Sequence, residues 1–137
     1  MDFLNPPEWP RPSGYANGIS AKGRMIFTAG VVGWDEHNKF RCSDLAGQFE
    51  QALRNIVRIL EMGGAKPCHL VRLTWYITDR TEYLSSIKAI GAAYRAIIGD
   101  HFPPMAVIEV KGLIASASKV EIEATAVVPD TLGCVDN

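Results

Sequence analysis

The run Lys119-Val120-Glu121-Ile122-Glu123-Ala124-Thr125-Ala126 near the end of the chain carries two carboxylates two positions apart. Successive side chains of an extended strand alternate between faces, so Glu121 and Glu123 share one face, roughly 6.5 to 7 Å apart, and Val120 and Ile122 share the other. Paired carboxylates suit acid and base work on a small molecule, because a carboxylate can take a proton from water and later return it to a leaving group. The same pattern also describes two solvated charges on the exposed side of an edge strand, and spacing alone leaves both open. Tyr15 and Tyr94 add phenol hydroxyls, which fit packing roles with a satisfied O–H equally well. His37, His69 and His101 are scattered, without the paired spacing by which one element ligates a metal, so no metal is expected. Cys42, Cys68 and Cys134 are odd in number, far apart and outside any C-x-x-C arrangement. They suit a reducing compartment and small packing roles rather than a disulfide framework or a zinc site.

The elements that must position these groups follow from periodicity and punctuation. Pro6, Pro7, Pro10 and Pro12 exclude helix from the first dozen residues, which are expected to lie over the surface as an extended arm. Residues 19–24 suggest a short strand and turn, and Met25 to Val32, rich in β-branched and aromatic residues, a second strand. Ser43 is a candidate helix cap with Asp44 at the positive end. Leu45, Phe49, Leu53, Ile56, Val57 and Leu60 then recur at helical spacing until Gly63-Gly64. Leu70 to Thr78 is a strand. Asp79 is a candidate cap, and Tyr83, Leu84, Ile87, Ile90, Tyr94, Ile97 and Ile98 mark a second helix closed by Gly99. Ala106 to Val110 and Lys119 to Val128 are the last strands, giving the order β-β-α-β-α-β-β.

Both strand-helix-strand connections place their helices on one face of the sheet under the handedness rule. Two helices cover one face only, yet Met25, Phe27, Ala29 and Val31 alternate with Ile26, Thr28, Gly30 and Val32, so both parities are apolar. A second copy of the chain is therefore expected against the other face, and the protein is expected to be a homo-oligomer.

Composition narrows the function classes. The chain has 137 residues, 47% hydrophobic and 21% charged, the size of one domain with a full core. Its net charge of −1 comes with no cluster of Lys and Arg, which disfavours nucleic acid and anionic membranes as partners. No run approaches the length needed to span a bilayer, and the amino terminus lacks the pattern of a secretory signal, so a cytoplasmic protein is expected.

Gly14-Tyr15, the strand Phe27-Thr28-Ala29-Gly30, the helical run from Ala46 to Ile56, Phe102-Pro103-Pro104 and the ending Val120 to Val127 together resemble the Rid or YjgF family of reactive intermediate deaminases. The likeness covers about residues 13 to 129. No single motif is highly specific, but their order and spacing hold along nearly the whole chain. The resemblance implies an α+β, chorismate-mutase-like single domain over residues 1–137, a mixed sheet with two helices on one face, an extended arm at 1–12 and a tail at 130–137. It further implies a homotrimer with ligand clefts between subunits. Members of the deaminase branch hydrolyse enamines or imines to carbonyl products and ammonia without cofactor or metal. By the family's pattern Glu121 holds the attacking water, Tyr15 lines the cleft, and the backbone at Ala29 and Gly30 faces the ligand.

The departures from that pattern bear on the substrate. Where the deaminase branch has an Arg gripping the substrate carboxylate, this chain has Met105. Ala29 stands for a small polar residue, Val107 for a frequent Cys, and Gly91 for a frequent Asn. Four polar positions are apolar or empty, which implies a wider, less polar cleft and a small-molecule substrate unlike short 2-imino acids. A 2-aminomuconate-like dienamine fits that description. Arg11, Arg24, Arg72, Lys111 and Lys119 are the candidate replacements for the missing cation. Trp34, just past Gly30, suits either a gate or an anchor between subunits. The alternative function is a trimer that binds a small metabolite, or a partner, without chemistry. Endoribonuclease activity is disfavoured, because no basic stripe or aromatic platform is present.

Overall fold

The computed structural model describes residues 1–130. The tail beyond them, with Cys134, lies outside the described residues.

Helix α1 (Leu45–Met62) forms where the apolar period predicts it. Asp44, not Ser43, is its N-cap: the Asp44 carboxylate accepts from the Gly47 N–H at 3.0 Å, so the acidic residue both caps and meets the positive helix end. The helix stops at Gly63-Gly64, where Gly64 takes φ 76° and the Gly64 and Ala65 N–H groups close on Glu61 O and Leu60 O.

Among the described residues, five of the seven strands form one sheet. β3 (Arg24–Phe27), β4 (Val31–Val32) and β5 (Leu70–Ile77) all pair antiparallel with β7 (Val120–Val128), and β6 (Met105–Glu109) adds parallel to β5 at the edge. The remaining two, β1 (Asp2–Phe3) and β2 (Ile19–Ser20), pair with each other, so the arm is tied down at its start rather than merely laid over the surface. The α1 crossover and the β5-to-β6 crossover put their helices on one face, as handedness requires.

Two single expected elements are divided. The strand expected from Met25 to Val32 is interrupted at Thr28–Gly30: Phe27 faces Thr125 while Val31 faces Ile122, so four steps on one strand answer three on the other and one residue is extra. Thr28 holds the bulge, with its N–H donating to Ala124 O at 2.9 Å and its Oγ1 accepting from the Ala124 N–H at 3.0 Å. The second helix divides into α2 (Arg80–Ser85), capped by Asp79 as expected, and α3 (Ile87–Ile97). At the break Ser85 Oγ donates to Glu82 O and Ser86 N–H to Tyr83 O, a local competition for carbonyls typical of serine.

The core lies between the helices and one sheet face. Phe49, Leu53, Ile56 and Leu60 of α1 meet Leu73, Trp75 and Ile77 of β5, Ile90 and Tyr94 of α3, and Val120, Ile122, Ala124 and Ala126 of β7. The other face carries no helix, and Met25 and Phe27 on it are 57% and 67% exposed. Cys42 is a free thiol, whereas Cys68 is not, so the expectation of three lone packing cysteines fails at Cys68.

Candidate functional site

Glu121 and Glu123 project from the helix-free face, since Val120, Ile122 and Ala124 between and beside them are buried against the helices. Glu121 stands opposite Val32 and Tyr76, and Glu123 opposite Thr74. The bulge places Gly30 directly against Glu121: a Cβ at Gly30 would lie 2.5 Å from Glu121 Oε2, so only glycine lets the carboxylate lie there. Among the described residues no cation pairs with Glu121. Hydrogen bonding toward Glu123, then burial and the charges of Glu123 and Glu121, pushes the Tyr76 phenol above its ordinary pKa. The group is a small acidic surface set in apolar surroundings, able to accept a proton.

On the opposite side of the sheet, between edge strand β6 and α3, lies a cleft of about 380 Å³. Met105 and Val107 form its floor because they share parity with Leu73 and Trp75 in the parallel β5–β6 pair. Tyr94 and Phe102 form a wall, stacked at 5.4 Å. Tyr94 is buried, and its hydroxyl donates to His101 O at 2.6 Å; burial raises its pKa. His101 is buried as well, its Nε2 2.7 Å from Leu70 O, and burial lowers its pKa below the usual 6.5 against the opposing effect of that bond. The Phe102-Pro103-Pro104 segment is thereby fastened to the core from both sides. The arm closes the cleft: Gly14 turns at φ 75°, Ala16 N–H donates to Pro103 O, and Tyr15 is brought to the rim.

Four of the expected residues, Tyr15, Gly91, Met105 and Val107, thus share one cleft. Ala29, Gly30 and Glu121 do not join them, being on β7 and its bulged neighbour across the sheet. Within one subunit, the residues that the resemblance assigns to an inter-subunit cleft lie on two faces of the sheet.

The candidate cations distribute as follows. Lys119 is held by Glu82 at 2.9 Å, and with Lys111 it lines a different hollow near Ser116. Arg24 lies beside Gly64, and Arg72 is exposed on β5 opposite Thr125. Arg11 lines a neighbouring hollow that shares Gly14, Tyr15 and Phe102 with the cleft. The cation that lines the cleft itself is Arg95, which the sequence reading passed over. It sits one helical turn beyond Gly91, a spacing that puts the two on one face. Trp75 was passed over too. It lines the cleft, is 6% exposed, and its Nε1–H finds no acceptor. Trp34 packs on Phe40 and lines a separate hollow with Gly30, Asn55 and Arg58. Its backbone carbonyl, like that of Val32, accepts from Asn55 Nδ2. Among the described residues no three of His, Cys, Asp or Glu come together as metal ligands, and no helix is long and apolar enough to cross a membrane.

Comparison with known proteins agrees with the fold and with the motif order. The family model described as Endoribonuclease L-PSP matches residues 10–128. A protein of Salmonella typhimurium named 2-iminobutanoate/2-iminopropanoate deaminase is 31% identical over 116 residues, covering 82% of this chain and 86% of that one. The crystal structure of a conserved Rid family protein, YyfB of Yersinia pestis, superposes with a TM-score of 0.82 at 29% identity, covering 93% of this chain and 98% of that one. The YjgF structure from E. coli superposes with a TM-score of 0.65 at 29% identity, covering 93% and 98%. A family model matching nearly the whole length, a matched relative and a superposable fold lead to one conclusion: this chain belongs to the Endoribonuclease L-PSP family of Rid/YjgF proteins.

Proposed function

We propose that this protein hydrolyses an enamine or imine of a small metabolite, releasing ammonia and a carbonyl product, at a site shared by two subunits of a homotrimer of chorismate-mutase-like subunits. The observation that carries this reading is the Glu121 carboxylate lying over Gly30 on a bare apolar sheet face, without a cation partner and across the sheet from the cleft. A carboxylate so placed can serve a ligand only if another surface closes over it. The complementary surface on offer is the cleft of a neighbouring copy, with Tyr15, Gly91, Met105 and Val107. Covering Met25 and Phe27 at the same time removes the exposed apolar surface.

The chemistry needs no cofactor. The enamine tautomerises to the imine, whose carbon is electrophilic. Glu121 orients a water, takes one of its protons as the oxygen adds to the C=N carbon and passes it to nitrogen to give the carbinolamine; the C–N bond then breaks as the hydroxyl proton is relayed to nitrogen and the C=O forms. Water and imine go in; ammonia and a carbonyl come out. The backbone at Ala29 and Gly30 borders the reacting atoms and Tyr15 the rest of the ligand. The apolar floor of Met105 and Val107 and the missing side chain at Gly91 favour a substrate larger than 2-iminobutanoate, a 2-aminomuconate-like dienamine among them.

The test is ammonia release from enzymatically generated imines, short and bulky, with 2-aminomuconate included, in the parent and in Glu121→Ala. Glu121→Ala is expected to lower turnover by about 10²- to 10⁴-fold, the usual range for a positioned acid–base group. Equal rates in the two proteins overturn the hydrolytic reading. Tight retention of a small ligand with no acceleration of any imine favours instead a trimer that binds a metabolite without chemistry.

A further inference from the structure

Met105 stands where the resemblance leads one to expect a carboxylate-gripping Arg, which raises the question of what else in the cleft can meet an anion. We propose that Arg95 of α3 holds the substrate carboxylate, assisted by the indole N–H of Trp75, so that the anionic anchor has moved from the edge strand to the helix. Three observations converge. Arg95 lines the cleft together with Met105 and Tyr15, whereas Lys119 is held by Glu82 and Arg72 projects on the opposite sheet face. A Cβ at Gly91 would lie 3.6 Å from Arg95 Nη1, so the guanidinium lies along the helix surface that a larger residue at Gly91 would occupy. No carboxylate of the described residues pairs with Arg95, unlike Arg41, Arg54 and Arg58, each of which has an acidic partner.

Trp75 adds an independent sign of a ligand. Its ring lines the cleft and is packed on Phe49 and Tyr94, yet its Nε1–H is buried with no acceptor. Buried donors are nearly always satisfied, and an unsatisfied one on a residue that lines a cleft is a place for a ligand oxygen. A guanidinium and one further N–H can together take both oxygens of a carboxylate. Apart from Ser13 at the arm, the remaining lining is apolar or aromatic, with Ile87, Ile90, Phe102, Met105 and Val107 among it. The substrate class is therefore a 2-imino acid, or its enamine, with a bulky apolar or planar conjugated arm.

This inference rests on the deaminase reading for the imine but not for the carboxylate, so the two are tested apart. Binding of phenylpyruvate and 4-methyl-2-oxopentanoate, the 2-oxo acids such imines would yield, is measured by calorimetry and by the intrinsic tryptophan signal, with the uncharged amides alongside. Arg95→Ala is expected to weaken binding of the acids tenfold or more and to leave the amides, already weak, unchanged; Arg95→Lys is expected to fall between, because charge is kept and the fork is lost. Where imine turnover is measurable, the same change is expected in KM with kcat nearly constant. The proposal is overturned if Arg95→Ala binds the acids as the parent does, if the amides bind as tightly as the acids, or if the loss follows Arg11→Ala instead. Failure of Glu121→Ala to slow turnover overturns the hydrolytic reading and leaves the binding result standing.

Discussion

The two faces of the sheet solve different problems. On the helix side, the cleft beside β6 is enclosed by one chain: arm, strand edge, α3 and the Phe102-Pro103-Pro104 turn supply a wall, a floor and a rim. On the other side, Glu121, Glu123 and Tyr76 stand on an open surface with Met25 and Phe27 exposed beside them. The enclosed side has shape and one cation but no carboxylate able to hold a water. The open side has carboxylates and no enclosure. On the proposed reading, recognition and proton transfer fall on opposite faces, and a subunit by itself carries two halves that cannot meet through its own sheet.

That division is open to direct tests. The largest effect is expected from Met25→Asp combined with Phe27→Asp, which puts two charges on the bare face. If another copy covers that face, the variant sediments as a monomer and imine turnover is lost, while circular dichroism shows the helices intact; an unchanged sedimentation coefficient breaks the comparison. Next is Gly30→Ala. The new methyl meets the end of the Glu121 side chain rather than backbone, so the carboxylate swings aside and the fold persists. Displacing a reacting group by about 1 Å can cost on the order of 10²-fold in rate, and a drop of that size with an unchanged melting temperature is expected. Full activity in Gly30→Ala would remove Glu121 from the chemistry.

A smaller effect sharpens the helix side. His101 is neutral and buried beneath the cleft wall, with its pKa below 6.5 in the folded protein. The unfolded chain therefore binds a proton that the folded chain resists, and stability present above pH 6.5 is lost as pH falls through the folded value. The parent is expected to melt at a lower temperature at pH 5.5 than at 7.5. His101→Gln, which keeps a donor for Leu70 O without titrating, is expected to show a smaller difference. An equal pH dependence in both proteins would place the acid sensitivity elsewhere.

Much of the frame was legible in the residues. The α1 period, the Gly63-Gly64 stop, the Asp79 cap and the alternation of β7 depend on local sterics and on burial of one face, and these leave periodic marks. What was misread is where two local rules compete. Ser43 and Asp44 are both good caps, and the choice went to the side chain within reach of the Gly47 N–H. The residues from Met25 to Val32 all favour strand, and the extra residue at Thr28–Gly30 became visible only against β7. In the candidate site, Gly91 and Met105 were singled out, whereas Arg95, one helical turn from Gly91, was passed over among the chain's many Arg and Lys.

By itself the sequence determined which residues alternate, which repeat at helical spacing, that both strand parities are apolar, and to which family the motif order belongs. The tertiary structure alone decided that Glu121 lies against Gly30, that Met105 and Arg95 share a cleft, and that these two groups face opposite ways. The reason is physical. Alternation and helical period are properties of one element, set by backbone geometry over a few residues, but which face meets which neighbour depends on register between strands far apart in the chain, and one bulged residue is enough to set it.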